Sequence, residues 1–156
     1  MTDAEKAAFK ANAERLTRQI EESDAKSIVN MMKPELADCD PDAASLTLAF
    51  PGQPWECNPT GAVHGGLVAT MFDTAMGIAS FAVTGELTPT MSLTISYALP
   101  APGDGRLLTR AKVTMAGRSV MYVTAEMWEE QTPERIVATA QAVFRRYAVG
   151  PDKKHA

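Results

Sequence analysis

Cysteine is scarce in this chain of 156 residues: there are two, Cys39 and Cys57. They have neither the number nor the spacing of a metal site, so both read as structural thiols and no metal is expected. Runs of lysine and arginine are also missing, and the formal net charge is −4 with a pI near 5.2. Without a basic footprint, nucleic acid is not an expected partner. Residues 1–26 are charged throughout and contain no apolar stretch of the kind a secretory leader needs, which predicts a protein that stays in the cytoplasm. The one long apolar segment, Leu67 to Val83, is shorter than a typical membrane span and holds Asp73 and Gly77, so a membrane partner is not expected either. No internal repeat or low-complexity tract is evident. Between Glu56 and Glu86, charge itself is missing, with the single exception of Asp73. A lone carboxylate in apolar surroundings is costly, so Asp73 has either a partner or a chemical task.

What is present describes an ordinary folded domain. Hydrophobic residues make up 46% and charged residues 22%, close to the average for globular chains. The length suits one domain. We expect a helical N-terminal extension over residues 1–32, a single domain over 33–148 and a loose polar tail over 149–156.

Periodicity fills in the elements. In TDAEKAAFKANAERLTRQIEES, Phe9, Ala13, Leu16 and Ile20 recur at helical spacing, and so narrow a stripe predicts a helix lying on the outside of the domain or against a second subunit rather than in the core. Residues 28–32 form a short turn that ends before Pro34. Glu35 to Asp40 and Ala44 to Phe50 read as strands joined at Asp40-Pro41-Asp42. The segment PGQPWECNPTG is too rich in proline and glycine for regular structure and reads as a loop. Leu67 to Val83 is long enough for a buried helix, with Gly66, Thr70, Asp73, Gly77, Ser80 and Thr84 along one side. In residues 90–98, Met91, Leu93, Ile95 and Tyr97 alternate with hydroxyl residues, as in a half-buried strand. Three further strands follow over 106–116, 119–130 and 135–147, and the short connections imply antiparallel neighbours. The fold class is therefore α+β: a curved antiparallel sheet of about six strands wrapped around one long central helix, the hotdog architecture. Exposed edge strands make pairing with a second copy an expected remedy.

The motif NPTGAVHGGLVATMFDTAMG, followed by the Thr/Ser-rich strand that ends in TISYALPAPGD, resembles the phenylacetyl-CoA (PaaI-like) group of hotdog acyl-CoA thioesterases. The resemblance covers roughly residues 35–147 and leaves the N-terminal helix without a role. It implies hydrolysis of an acyl- or aryl-CoA thioester to a free acid and coenzyme A, with no metal or redox cofactor, in a homodimer at least and by family habit a homotetramer. By the same resemblance Asp73 activates water or attacks the thioester itself, while the Gly65 N–H points at the thioester carbonyl. Asn58 helps to hold the reacting water or the thioester, His64 bonds across the site or orients the loop, and Thr90 supplies a hydroxyl near the carboxylate. Gly66 and the Gly117-Arg118-Ser119 turn would bind substrate, with Arg118 and Ser119 at a phosphate of coenzyme A.

Each residue also has a plainer reading. Asp73 could be capped by a local hydroxyl such as Thr70, and Asn58-Pro59 is a common turn initiator. Gly65 and Gly66 could simply make the turn into the helix, Thr90 is an ordinary strand residue, and Arg118 could be a solvated hairpin tip. The competing function is a non-catalytic hotdog protein that binds or senses acyl-CoA; the carboxylate at position 73 favours the enzyme, because a sensor has no need of it. A dehydratase would carry a different pattern of aspartate and histidine. Along a helix, Asp73 stands about 13 Å beyond His64, too far for one thioester to touch both. The sequence therefore predicts a site shared by two chains, with Asn58 and Gly65 from one and Asp73 from the other.

Overall fold

In a computed structural model that describes residues 1–24 and 26–146, the chain folds from two helices into a hairpin, a long helix and four more strands. The end of the last expected strand at Tyr147 and the tail over 149–156 lie outside the described residues. Helix α1 (Asp3–Glu21) starts at Thr2, whose hydroxyl accepts from the Glu5 N–H while the Glu5 carboxylate accepts from the Thr2 N–H. The predicted stripe is real, but the expectation that α1 stays out of the core is corrected: Phe9 and Ala13 are buried members of the core cluster. They reach it because α1 packs on the central helix. There the Asn12 side-chain amide donates to Ala82 O at 3.2 Å and the Arg15 guanidinium sits 4.9 Å from the Phe81 ring centroid. Helix α2 (Ile28–Met32) ends at Lys33, which adopts φ 50° ahead of Pro34.

Strands β1 (Glu35–Asp40) and β2 (Ser45–Pro51) form the expected hairpin. The loop that follows contains one short 3₁₀ turn, Pro54–Glu56. Helix α3 then runs from Gly65 to Thr84, three residues longer than the apolar run that announced it. Its polar cap at His64 and its exit at Gly85, with φ 72° and an N–H to Phe81 O of 2.7 Å, set those ends. By length and composition α3 could cross a membrane, yet it serves as the core helix of this fold, burying Val68, Met71, Phe72, Ala75 and Met76. Burying a side chain such as Phe72, with none of its surface exposed, stabilises the fold by roughly 1.5–3 kcal/mol.

Strands β3 (Thr90–Tyr97), β4 (Arg106–Ala116), β5 (Val120–Glu129) and β6 (Ile136–Arg145) complete one six-stranded antiparallel sheet in the order β1-β2-β4-β5-β6-β3. The sheet, the central helix and the extra N-terminal helix agree with the fold read from the sequence. One neighbour relation differs: the short 98–105 connection does not join paired strands, because β3 pairs with β6 and β4 with β2. Eight extended residues reach about 26 Å, enough to cross the intervening strands. Strand β3 is thereby left at an edge of the sheet, with no second partner strand among the described residues. Leu93 and Ile95 pack on the core as the alternation predicts, whereas Met91 and Tyr97 are each 55% exposed.

Candidate active site

The motif residues fall into two groups at opposite ends of β3. The first gathers at the start of α3, where residues 52–64 form a tightly pinned loop. Cys57 and Val63 form a bridge, Ala62 bridges to Pro102, the Val63 N–H donates to Ala101 O at 2.9 Å and the His64 N–H to Glu56 O at 2.8 Å. Asn58 builds the loop from within. Its Oδ1 accepts from Thr60 N at 2.9 Å, Thr60 Oγ1 at 2.7 Å and Ala62 N at 3.3 Å. Only its Nδ2 protons are left for anything else. Gly61 closes the turn at φ 83°, a conformation that favours glycine.

His64 caps α3: its Nδ1 accepts from the Gly66 N–H at 3.1 Å. That bond caps the helix and engages the Gly66 amide, and Gly66 is not among the residues lining the neighbouring pocket. The Gly65 N–H, by contrast, has no acceptor among the described residues, and it stands at the positive end of a helix dipole. Gly65 and Asn58 line a pocket of about 420 Å³, together with Tyr97, Val68 and Leu99. A depression of about 550 Å³ on the polar outer face of the sheet, around Arg110, Glu126 and Gln141, holds none of the candidate site residues.

The second group is simpler. Asp73, half-buried two turns further along α3, accepts a hydrogen bond from the Thr90 hydroxyl at 2.7 Å. Thr70 does not cap it, because its hydroxyl donates to Gly66 O at 3.0 Å. The long-range partner, 17 residues away, is the one the resemblance named. Across the sheet Thr90 pairs with Phe144, Phe144 with Met121 and Met121 with Ala116. The turn carrying Arg118 and Ser119 therefore closes the same end of the sheet as Asp73. It lies about 10 Å from β3, two strand spacings away. Arg146 braces that turn, donating its N–H to Ser119 O at 2.8 Å and Nη1 to Gly117 O at 3.3 Å. Arg118 itself is exposed.

Two residues near the first group escaped the sequence reading. Tyr97 looked like one more apolar residue of an alternating strand, yet its hydroxyl donates to Gly65 O at 2.9 Å. Glu56 looked like the edge of an uncharged stretch, yet its side chain is wholly buried, with Oε1 unpartnered and Oε2 accepting from Gln53 N at 3.2 Å. Burial pushes its carboxyl above the usual range, against the opposing pull of the Gln53 bond. A carboxylate rarely survives in such a place, and its position two residues before Asn58 was the available signal. Among the described residues no group of three or more His, Cys, Asp or Glu side chains could hold a metal ion.

The loop's foundation is open to test. A Cβ at Gly103 would collide with Cys57 Sγ and lie 2.6 Å from Gly61 O, which is backbone and cannot swing away. Gly103→Ala should therefore displace the Asn58 loop, destabilising the protein by roughly 1–3 kcal/mol. Thermal unfolding of the variant against the parent checks this, and an unchanged melting temperature would show that the loop accommodates the methyl group.

A six-stranded antiparallel sheet around one buried helix, with a lone carboxylate on that helix and a free amide at its start, defines a hotdog protein. The family model of the thioesterase superfamily matches residues 60–136. Of solved structures, a phenylacetic acid degradation-related protein from Ralstonia eutropha is 26% identical, with 86% of this chain and 99% of that one covered at a TM-score of 0.73. The PaaI protein of the Escherichia coli phenylacetic acid degradation operon is 18% identical over 90% of this chain and 96% of that one, with a TM-score of 0.76. A Streptococcus mutans protein bound to acetyl-CoA is 17% identical over 81% and 94%, with a TM-score of 0.67. No curated protein matches the chain. The chain thus has the hotdog fold and is similar to the thioesterase superfamily over residues 60–136, with PaaI-related proteins among its structural neighbours.

Proposed function

We propose that this protein hydrolyses an acyl- or aryl-CoA thioester, and that each site is built from two copies of the chain. The observation that carries the reading is the division of the site. An unpartnered Gly65 amide lines a pocket at the Tyr97 end of β3, and a half-buried carboxylate sits at the Thr90 end. Eight residues of α3 separate Gly65 from Asp73, about 12 Å of rise, so one chain cannot apply both to one thioester. The edge strand offers the solution. If β3 pairs antiparallel with β3 of a second copy about its centre, Thr90 of each faces the Tyr97 end of the other, and Asp73 meets the partner's amide pocket. Exposed Met91, Tyr97 and Leu99 would be covered at that seam.

In this arrangement the Gly65 N–H receives the charge that develops on the thioester oxygen. Asp73, oriented by Thr90, either takes the proton of the attacking water, so that the acid forms as coenzyme A leaves as the thiol, or attacks the carbonyl carbon itself, expelling coenzyme A and leaving a mixed anhydride that water then hydrolyses to the acid and the free carboxylate. Hydrolysis changes no oxidation state, and coenzyme A takes part only as the leaving group of the substrate. Two such dimers would make the tetramer. The acetyl-CoA complex of the Streptococcus mutans relative supports this choice of ligand. The reading is tested by incubating the purified protein with a panel of short, long and aromatic acyl-CoAs and measuring free thiol. Release well above the uncatalysed rate is expected for at least one of them; binding of acyl-CoA without thiol release would instead identify a sensor.

Arg118 is assigned to a phosphate of coenzyme A. Its turn shares the Asp73 end of the sheet, and a guanidinium there can form charge-assisted bonds to phosphate. Arg118→Ala should raise KM for acyl-CoA several-fold while leaving KM for a pantetheine thioester near its parental value. Equal effects on both would leave Arg118 as a surface turn residue.

A further inference from the structure

We propose that Tyr97 is a positioning residue that fixes the Gly65–Gly66 peptide and through it sets the direction of the adjoining Gly65 N–H, an inference that rests on the assignment of Gly65 as the thioester-oxygen donor. A helix that begins Gly65-Gly66 starts from the two residues with the most backbone freedom to lose, in the turn whose N–H groups have no intrahelical acceptors. Two side chains restrain that start from opposite sides. His64 Nδ1 takes the Gly66 N–H at 3.1 Å, and the Tyr97 hydroxyl, from a strand 32 residues away, grips Gly65 O at 2.9 Å. The Tyr97 ring lies alongside as well, with Cε1 and Cζ 3.6 Å from the point a Cβ on Gly65 would occupy. The remaining polar group of Gly65, its N–H, has no acceptor among the described residues, and Gly65 lines the same pocket as Tyr97.

The hydroxyl contributes little to the fold. Tyr97 is the last residue of β3 and is already held by pairing with Ala138, so losing one hydroxyl hydrogen bond costs about 1 kcal/mol. Its effect on the amide is of a different kind. A donor stabilises developing charge only if it is aimed beforehand, and a misplacement of about 1 Å can cost on the order of a hundredfold in rate. Tyr97 thus links the edge strand β3 to the first peptide of the central helix.

Tyr97→Phe removes the hydroxyl and keeps the ring. Two readouts are taken on the full-length protein, with dimerisation checked by sedimentation. The first needs no substrate: backbone amide order parameters from NMR should fall at Gly65 and Gly66 and stay unchanged over the rest of α3. The second is turnover, where kcat should drop about tenfold with KM within about twofold and the melting temperature within a few degrees of the parent. Unchanged order parameters at Gly65 and Gly66 overturn the proposal, and so does a fall in them with kcat unaltered. If the parent releases no thiol from any thioester, the functional reading fails by itself, and the order parameters alone decide whether Tyr97 holds the amide.

Discussion

Asp73→Asn is expected to reduce kcat for thioester hydrolysis by about a hundredfold or more, with the melting temperature close to that of the parent. The substitution keeps the size of the side chain and an oxygen that can still accept from the Thr90 hydroxyl at 2.7 Å, so packing at the Asp73 end of α3 is preserved. What disappears is the charge. An amide neither takes a proton from water nor attacks a thioester, and no second carboxylate stands on α3 to replace it. An Asp73→Asn variant that folds normally and turns over at near the parental rate would remove Asp73 from the mechanism. A variant that loses activity only because it unfolds would show a lowered melting temperature, so the two measurements are made together.

The sequence announced most of this fold because most of it is periodic. Alternation over residues 90–98 and the uniform apolar run before it placed β3 and α3 within a few residues of their observed bounds. Asp73 stood out because charge is otherwise absent around it, and its pairing with Thr90 followed from the family pattern. The rest depends on contacts that no period encodes. That β3 joins β6 rather than β4 is decided by how residues 98–105 cross the sheet and attach to the loop at Ala62 and Val63. Tyr97 obeys the strand alternation, so its hydroxyl looked incidental until the first turn of α3 was seen beneath it. Phe9 and Ala13 gave a stripe too narrow to signal burial. The stripe meets the core only because Asn12 and Arg15 secure α1 against the end of α3. Asn58 served two readings at once, turn former and substrate donor, and its three Oδ1 bonds show how the first can prepare the second.

The central claim, a site divided between two chains, is tested most directly by complementation. Asn58→Ala removes the acceptor that organises Thr60 and Ala62, and Asp73→Ala removes the carboxylate; each homodimer therefore carries two defective sites and should be inactive. When the two variants are unfolded together and co-refolded in equal amounts, random pairing makes half of the dimers mixed. Every mixed dimer holds one site with both defects and one with neither, so about a quarter of the parental activity should return. If the mixture stays as inactive as its components although mixed dimers are shown to form, Asn58 and Asp73 serve the same site within one chain, and the divided site is contradicted.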